Sequence, residues 1–309
     1  MSGFLGCYTH FMTKVSAYFG VSRGPFLILP VTLVICGAGA SAYHHSFSWP
    51  HTALALVGLV ALHMAVNIFN EVSDFKTGID LETEATPFSG GSGTLPSGSM
   101  TPRTATIFGV ICSIIGGAVG VFFLVKIGWP MVPLVIAGAF LVLTYTNLMA
   151  RIGLGEVAAG LGLGALPVLG TALVQTGRIG SAVVVAAIPA FLMTLNLLLL
   201  NEFPDEKADR HGGRRNLVLM FGRIWAARIY LAAALAVPLV LAIGVWMNIL
   251  PATALIAAAP TLLLIGAFSW AWRSPETDPP IPALGANVIW NLATNTILGV
   301  VLLIAAIGG

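Results

Sequence analysis

From Ser181 to Leu200 the chain reads SAVVVAAIPAFLMTLNLLLL, twenty residues without one charged side chain. A helix rises about 1.5 Å per residue, so about 20 apolar residues cross the roughly 30 Å hydrocarbon core of a bilayer. Comparable runs recur along most of the sequence, and none shows the ten-residue alternation of a membrane β-strand. Backbone polar groups in lipid must be satisfied within the segment, which leaves helices. The chain is therefore predicted to be an all-α, polytopic membrane protein. Composition points the same way: 57% of residues are hydrophobic and 8% charged, where a soluble domain carries roughly 25% charged residues. A formal net charge of +2 is too small to draw a nucleic-acid partner.

Hydropathy places about nine spans, near residues 25–43, 51–73, 104–126, 130–148, 154–174, 182–203, 223–247, 250–272 and 284–307. They make one transmembrane domain over 25–309. The preceding segment, 1–24, is amphipathic and lacks a compact apolar core with a cleavage site, so it reads as interfacial and not as a signal peptide. With the N-terminus inside, the cytoplasmic side receives Lys14, Arg23, Lys76, Arg103, Arg151, Lys207, Arg210, Arg214, Arg215, Arg223, Arg228 and Arg273. Only Lys126 and Arg178 of the 14 basic residues fall outside. This bias supports both the span count and the orientation. Two connections are long and polar, 74–103 and 204–222, and both are expected on the cytoplasmic side.

Each polar connection follows a span whose end is rich in acids. In NIFNEVSDFKTGID, Asn67, Glu71 and Asp74 fall at i, i+4 and i+7, one helix face, with Asn70 offset, Lys76 beyond and Asp80 in the loop. In NEFPDEKADRHGGRRNL, Asn201, Asp205 and Asp209 fall at i, i+4 and i+8. The shared spacing of Asn to acid reads as a pseudo-repeat, two similar helix ends facing one cavity. Ionisable groups at span depth are functional by default, and stacked carboxylates call for a cation. Oxygen ligands on two facing helices suit Mg²⁺, which keeps waters and shares its coordination with substrate phosphates. Lys207, Arg210, Arg214 and Arg215 would then meet the phosphate oxygens left over. Taken alone, the basic residues read equally as loop charges that set topology, and a proton or cation relay is the rival use of the acids.

The remaining features are weaker. Cys7, Cys36 and Cys112 are far apart, two of them in apolar runs, and read as free thiols. TPFSGGSGTLPSG, 86–98, reads as a flexible linker. His44, His45 and His51 read as interfacial residues. Among the aromatics near the cytoplasmic mouth, Tyr145 and Phe203 are placed to face an allylic cation.

Nine spans with acid-rich motifs after the second and sixth resemble the UbiA superfamily of intramembrane prenyltransferases. NEFPDEKADRHGGRRNLVLMFG looks like that family's second Asp-rich motif, RGPFLILPVTLVICGAGA like its first span, and YTNLMARIGLGEVAAGLGLGALPVLGTALVQTG, 145–177, is similar to the branch that prenylates 1,4-dihydroxy-2-naphthoate. The resemblance covers most of residues 20–225. It implies a lipid-open cavity in a bacterial or archaeal cell membrane, holding a polyprenyl diphosphate and an aromatic quinone-precursor acceptor. Carried over, Asn67, Glu71, Asp74, Asp205 and Asp209 would engage Mg²⁺ and catalyse ionisation with Tyr145, while Arg23, Asn70, Lys76, Asp80, Asn201, Lys207, Arg210 and Arg214 would bind substrate. The chain departs from the family at Glu71, where Asp is usual, and at Gly93, where relatives often carry a basic residue. A terpene cyclase that ionises the diphosphate without an acceptor, and a cation or proton transporter, are the alternatives.

Overall fold

The computed structural model describes residues 15–82 and 90–308. Among them no strand forms, and nine helices are long and apolar enough to span a membrane. These are α1 (Gly24–Ala42), α2 (Trp49–Thr77), α3 (Pro102–Ile127), α4 (Trp129–Ile152), α5 (Gly155–Thr176), α6 (Ser181–Asn201), α7 (Arg223–Trp246), α8 (Ala252–Arg273) and α9 (Ile281–Gly308). Most of the expected interfacial segment, with Cys7, lies outside the described residues. The helical turns at 15–21 do split by face: Ala17 and Val21 are buried, Val15 and Phe19 exposed, and the Tyr18 ring stands edge-on to Phe108 at 4.9 Å.

Around the bundle, α2 packs on α3, α1 on α9 and α5, α6 on α5 and α7, and α8 between α7 and α9. With lipid as solvent, close packing and hydrogen bonds hold such contacts, not water exclusion. At the tightest crossing, of α1 with α9, a Cβ on Gly39 would lie 2.0 Å from the Gly299 carbonyl oxygen. Polar side chains clamp the other face of α6. Asn196 donates to the Tyr230 carbonyl (2.9 Å), Asn287 to the Asn196 carbonyl (3.1 Å) and Asn291 to the Thr194 hydroxyl (3.3 Å). Helix α4 contrasts with its neighbours: only 6% of its apolar window is buried, against 67% in α5. It forms an outer wall.

Two local departures from α-helix shape the interior. Tyr145–Met149 in α4 and Leu161–Ala165 in α5 are π-helical turns, a geometry that frees a backbone carbonyl and re-aims side chains, often at functional sites. The Leu163 carbonyl, at non-helical φ/ψ, accepts from the Thr194 hydroxyl at 3.1 Å. The expected continuous stripe of Asn201, Asp205 and Asp209 is a third departure. Pro204 has no N–H for the Leu200 carbonyl and its ring crowds that carbonyl, so α6 ends at Asn201. Residues 202–205 form turns and a new short helix runs Glu206–His211.

Candidate active site

The end of α2 and the segment after α6 close over one polar cavity. Asn67, Asn70, Asp74 and Asp80 line it from one side, Asn201, Asp205, Asp209 and Arg214 from the other, with Arg23 and Tyr145 between them. Asn67, Asn70 and Asp74 stand at i, i+3 and i+7, the face of α2 that looks inward. Arg214 joins the halves: it donates to Asn70 Oδ1 (3.0 Å) and to Asp74 on α2, and to Asp209 Oδ1 (3.3 Å) on the short helix. Asn216 donates to the other Asp209 oxygen at 2.9 Å. Burial works against the Arg214 charge, but Asp74 and Asp209 outweigh it and hold the guanidinium above its ordinary range.

The carboxyl groups without such partners behave differently. Asp205 Oδ1 and Asp80 Oδ2 are buried and have no hydrogen-bond partner. Burial, then the charge of Asp209, pushes Asp205 up to about 7; burial, then Glu71 and Asp74, does the same for Asp80. Gly91 brings the loop against Asp80 so closely that a Cβ there would sit 2.6 Å from Oδ1. Orphaned acceptors facing a confined space are what a cation would satisfy. Yet among the described residues no group of three or more His, Cys, Asp or Glu is close enough to hold an ion alone. The donor set fits a hard ion that completes its shell from waters and a bound anion, as Mg²⁺ does.

Six expected residues do not reach the cavity. Lys76, Lys207 and Arg215 are exposed. Arg210 is 69% exposed and pairs with Glu206 one turn back, at 2.9 Å, because the helix restarted after Pro204 turns it outward. Phe203 is buried edge-on to Trp270 (4.9 Å) with the Arg223 guanidinium over its ring, so it cannot face a cation in the cavity. Glu71, fully buried, points sideways off α2: Oε1 accepts from Arg23 Nε (2.8 Å) and from the Ser92 N–H (2.9 Å), and Oε2 from the Ser92 hydroxyl (2.8 Å). Its oxygens meet Arg23 and Ser92, and Glu71 does not line the cavity, so it anchors the 90–98 loop against α2. The same contacts correct the linker reading over 90–98, where Thr94 and Leu95 are buried; 86–89 lie outside the described residues.

Glu71→Gln is therefore expected to lower thermal stability. It leaves the Arg23 guanidinium with half its partner, and breaking a buried ion pair costs about 3–5 kcal/mol. The Mg²⁺ concentration for half-maximal activity should stay within about twofold of wild type. A thermal melt and a Mg²⁺ titration of activity separate the two, and a large rise in the Mg²⁺ requirement would restore Glu71 as a ligand.

A second, apolar cavity lies below the first, between α2, α3, α4 and α5. Val66, Tyr145, Ala159 and Leu163 line both, forming a throat. Two of these four come from the π turns, a joint that periodicity could not reveal. Sequence reasoning also passed over His63 and Glu156, both buried, and counted buried Glu202 among the candidates for chemistry without giving it a specific role. A lone acid in an apolar span, as Glu156 is, was the available signal.

The sequence profile of the UbiA prenyltransferase family matches residues 29–292. The 1,4-dihydroxy-2-naphthoate octaprenyltransferase of Mycobacterium leprae (strain TN) is 27% identical over 290 residues, 91% of this chain and 96% of that protein. The enzyme of the same name from Bacillus subtilis (strain 168) is 27% identical over 186 residues, 59% of this chain and 58% of its own length. Among solved structures, the apo UbiA homolog from Aeropyrum pernix K1 superimposes with a TM-score of 0.67 at 19% identity, covering 91% of this chain and 98% of that one. A UbiA homolog from Archaeoglobus fulgidus bound to GPP and Mg²⁺ gives 0.63 at 13% identity, covering 91% and 99%.

Proposed function

The chain belongs to the UbiA prenyltransferase family, an integral multi-pass membrane enzyme, and from the throat that joins its two cavities we propose that it transfers a polyprenyl group from its diphosphate to 1,4-dihydroxy-2-naphthoate or a close analogue. A charged head on an apolar tail needs a polar chamber opening directly into an apolar one, and that juxtaposition carries the reading. The naphthoate acceptor is favoured because the relatives described above bear that activity in their names. Both polar connections face the cytoplasm on this reading, in keeping with the distribution of Lys and Arg.

Asp205, Asp209, Asp74 and Asn67 would hold Mg²⁺ together with the donor's diphosphate. The ion, when bound, neutralises charge that grows on the departing diphosphate. Arg214, and Arg23 at the rim, offer guanidinium N–H groups to the same oxygens, and donors fixed in advance cost no reorganisation as charge develops. The tail lies in the apolar cavity, so the allylic C1 is held at the throat, where the Tyr145 ring faces the cation and apolar walls keep water away. An electron-rich ring carbon of the acceptor attacks there.

Purified protein in lipid, given labelled prenyl diphosphates with and without 1,4-dihydroxy-2-naphthoate, tests this. Mg²⁺-dependent formation of a prenylated naphthoid supports it. Cyclic terpene without acceptor, or no turnover under any combination, rejects it. The apolar cavity makes a separate prediction. Gly138 lines it, and no atom lies within 4 Å of a Cβ built there. Gly138→Phe should displace a few carbons of a long tail at about 0.8 kcal/mol per methylene. The kcat/KM for long donors should fall by roughly a hundredfold relative to short ones. Equal losses for both lengths would place the tail elsewhere.

A further inference from the structure

His63, within α2, is 3% exposed, yet its side chain lines the polar cavity. Asn67 and Asp74 follow it on the same helix, so His63 lies about 6 Å deeper than the first and about 16 Å deeper than the second. Its Nδ1 is buried without a hydrogen-bond partner. A polar nitrogen left so is costly, and buried polar groups almost always find a partner. Rotation about χ2, a soft torsion in histidine, can turn either ring nitrogen toward the cavity.

The walls around His63 are apolar. Asn67 donates to the Ser22 carbonyl at 3.0 Å, which sets the start of α1 beside that turn of α2. One turn deeper, His63 shares the cavity wall with Phe26 and Leu29 of α1. On α6, Leu197 precedes Asn201 by the same offset that separates His63 from Asn67, and it lines the same wall. Thr194, also in this wall, is already committed: its hydroxyl donates to the Leu163 carbonyl at 3.1 Å and accepts from Asn291 at 3.3 Å. His63 thus stands open in an apolar recess. The prenyl donor does not need it. The diphosphate has Asn67, Asp74, Asp205, Asp209 and Arg214, and the tail passes into the apolar cavity, whose α2 wall runs through Leu59, Leu62 and Val66 without His63.

Resting on the proposed function, we infer that His63 determines acceptor specificity by hydrogen-bonding a ring hydroxyl of the naphthoate. An apolar recess with one open polar group suits a flat aromatic ring that carries a hydroxyl. In 1,4-dihydroxy-2-naphthoate the 1-hydroxyl lies beside the carboxylate and bonds to it internally, whereas the 4-hydroxyl has no partner of its own. A neutral imidazole nitrogen accepts that O–H. The contact transfers no proton; it fixes which edge of the ring meets the throat.

Equilibrium binding tests this in purified protein in lipid, without donor or metal and under anaerobic conditions. The probes are 1,4-dihydroxy-2-naphthoate and 1-hydroxy-2-naphthoate, which lacks the 4-hydroxyl, each followed by its own fluorescence. Wild type should bind the dihydroxy compound about tenfold or more tightly than the monohydroxy one. His63→Phe should bind both alike, and His63→Gln, which keeps a hydrogen-bonding side chain, should restore part of the preference. In steady state, His63→Phe should raise the acceptor KM about tenfold while the donor KM moves less than about twofold. The wild-type comparison and His63→Gln keep the inference testable if His63→Phe does not fold. A wild type that shows no preference or binds neither probe, a preference kept undiminished in the variants, or equal rises in both KM values overturns the inference. A wild type that prefers the dihydroxy probe but turns over no prenyl diphosphate overturns the proposed function and leaves the hydroxyl contact standing.

Discussion

Asp205→Asn is expected to abolish nearly all turnover while leaving the metal-free protein more stable. The carboxylate lines the polar cavity with one oxygen buried and unpartnered. On the proposed function, Asp205 would give Mg²⁺ and diphosphate a negative charge that a neutral amide cannot replace. Losing an electrostatic contact to the developing charge costs about 4 kcal/mol in such sites, on the order of a thousandfold in kcat. Without metal the same group is a liability. Burial and Asp209 raise it to about 7, against roughly 3.9 in an unfolded chain. The folded state therefore binds this proton more tightly, and the group's contribution to stability falls as pH rises from about 4 to about 7. In chelator, the Asp205→Asn protein should melt above wild type at about pH 8, and the gap should close near pH 4. Near-normal turnover would remove Asp205 from the site, and a variant less stable than wild type at about pH 8 would mean that the carboxylate is paired after all.

How far the sequence announces this site depends on which physical signal each residue carries. Polar and ionisable groups in or beside a span end are rare enough to stand out, which is why Asn67, Asp74, Asp205, Asp209 and Arg214 were legible; all five line one cavity. The spans themselves follow from apolar length alone. Direction around a helix is a finer matter. Glu71 shares a stripe with Asn67 at i+4, but Asn70 at i+3 is the neighbour that faces inward, and Glu71 turns to Arg23 and Ser92. Spacing set Glu71 on the stripe and Asn70 off it, and the cavity lining reverses the two. Pro204 is a second such case, since its effect on α6 is written in the sequence while the direction of the restarted helix is not. The throat was hidden for a third reason. It depends on π turns at Tyr145–Met149 and Leu161–Ala165, which no hydrophobic pattern encodes.

Arg214→Lys should cost far more than Arg210→Lys, although both replace one guanidinium by one ammonium within the same loop. The expected loss is about ten- to a hundredfold in kcat/KM for Arg214→Lys and less than about twofold for Arg210→Lys. The Arg214 side chain is 22% exposed and that of Arg210 is 69% exposed. Arg214 meets Asn70, Asp74 and Asp209 at once, spanning the ends of both motif segments, and a planar fork of five N–H groups can do so while still presenting donors to a diphosphate. A lysine ammonium is a point on a flexible stem and cannot reach acceptors on both sides. Each charge-assisted hydrogen bond lost at a desolvated site costs about 1.5–3 kcal/mol, which gives the stated range through transition-state arithmetic. Arg210 pairs with Glu206 at the surface, an arrangement worth under about 1 kcal/mol that lysine can copy. If both charges merely set topology, neither substitution should alter kinetics, because lysine orients loops as well as arginine does. Steady-state kinetics of the two variants decide between these outcomes. Wild-type kcat/KM in Arg214→Lys would break the link between the two halves of the cavity, and a large loss in Arg210→Lys would mean that the short helix Glu206–His211 turns inward when diphosphate binds.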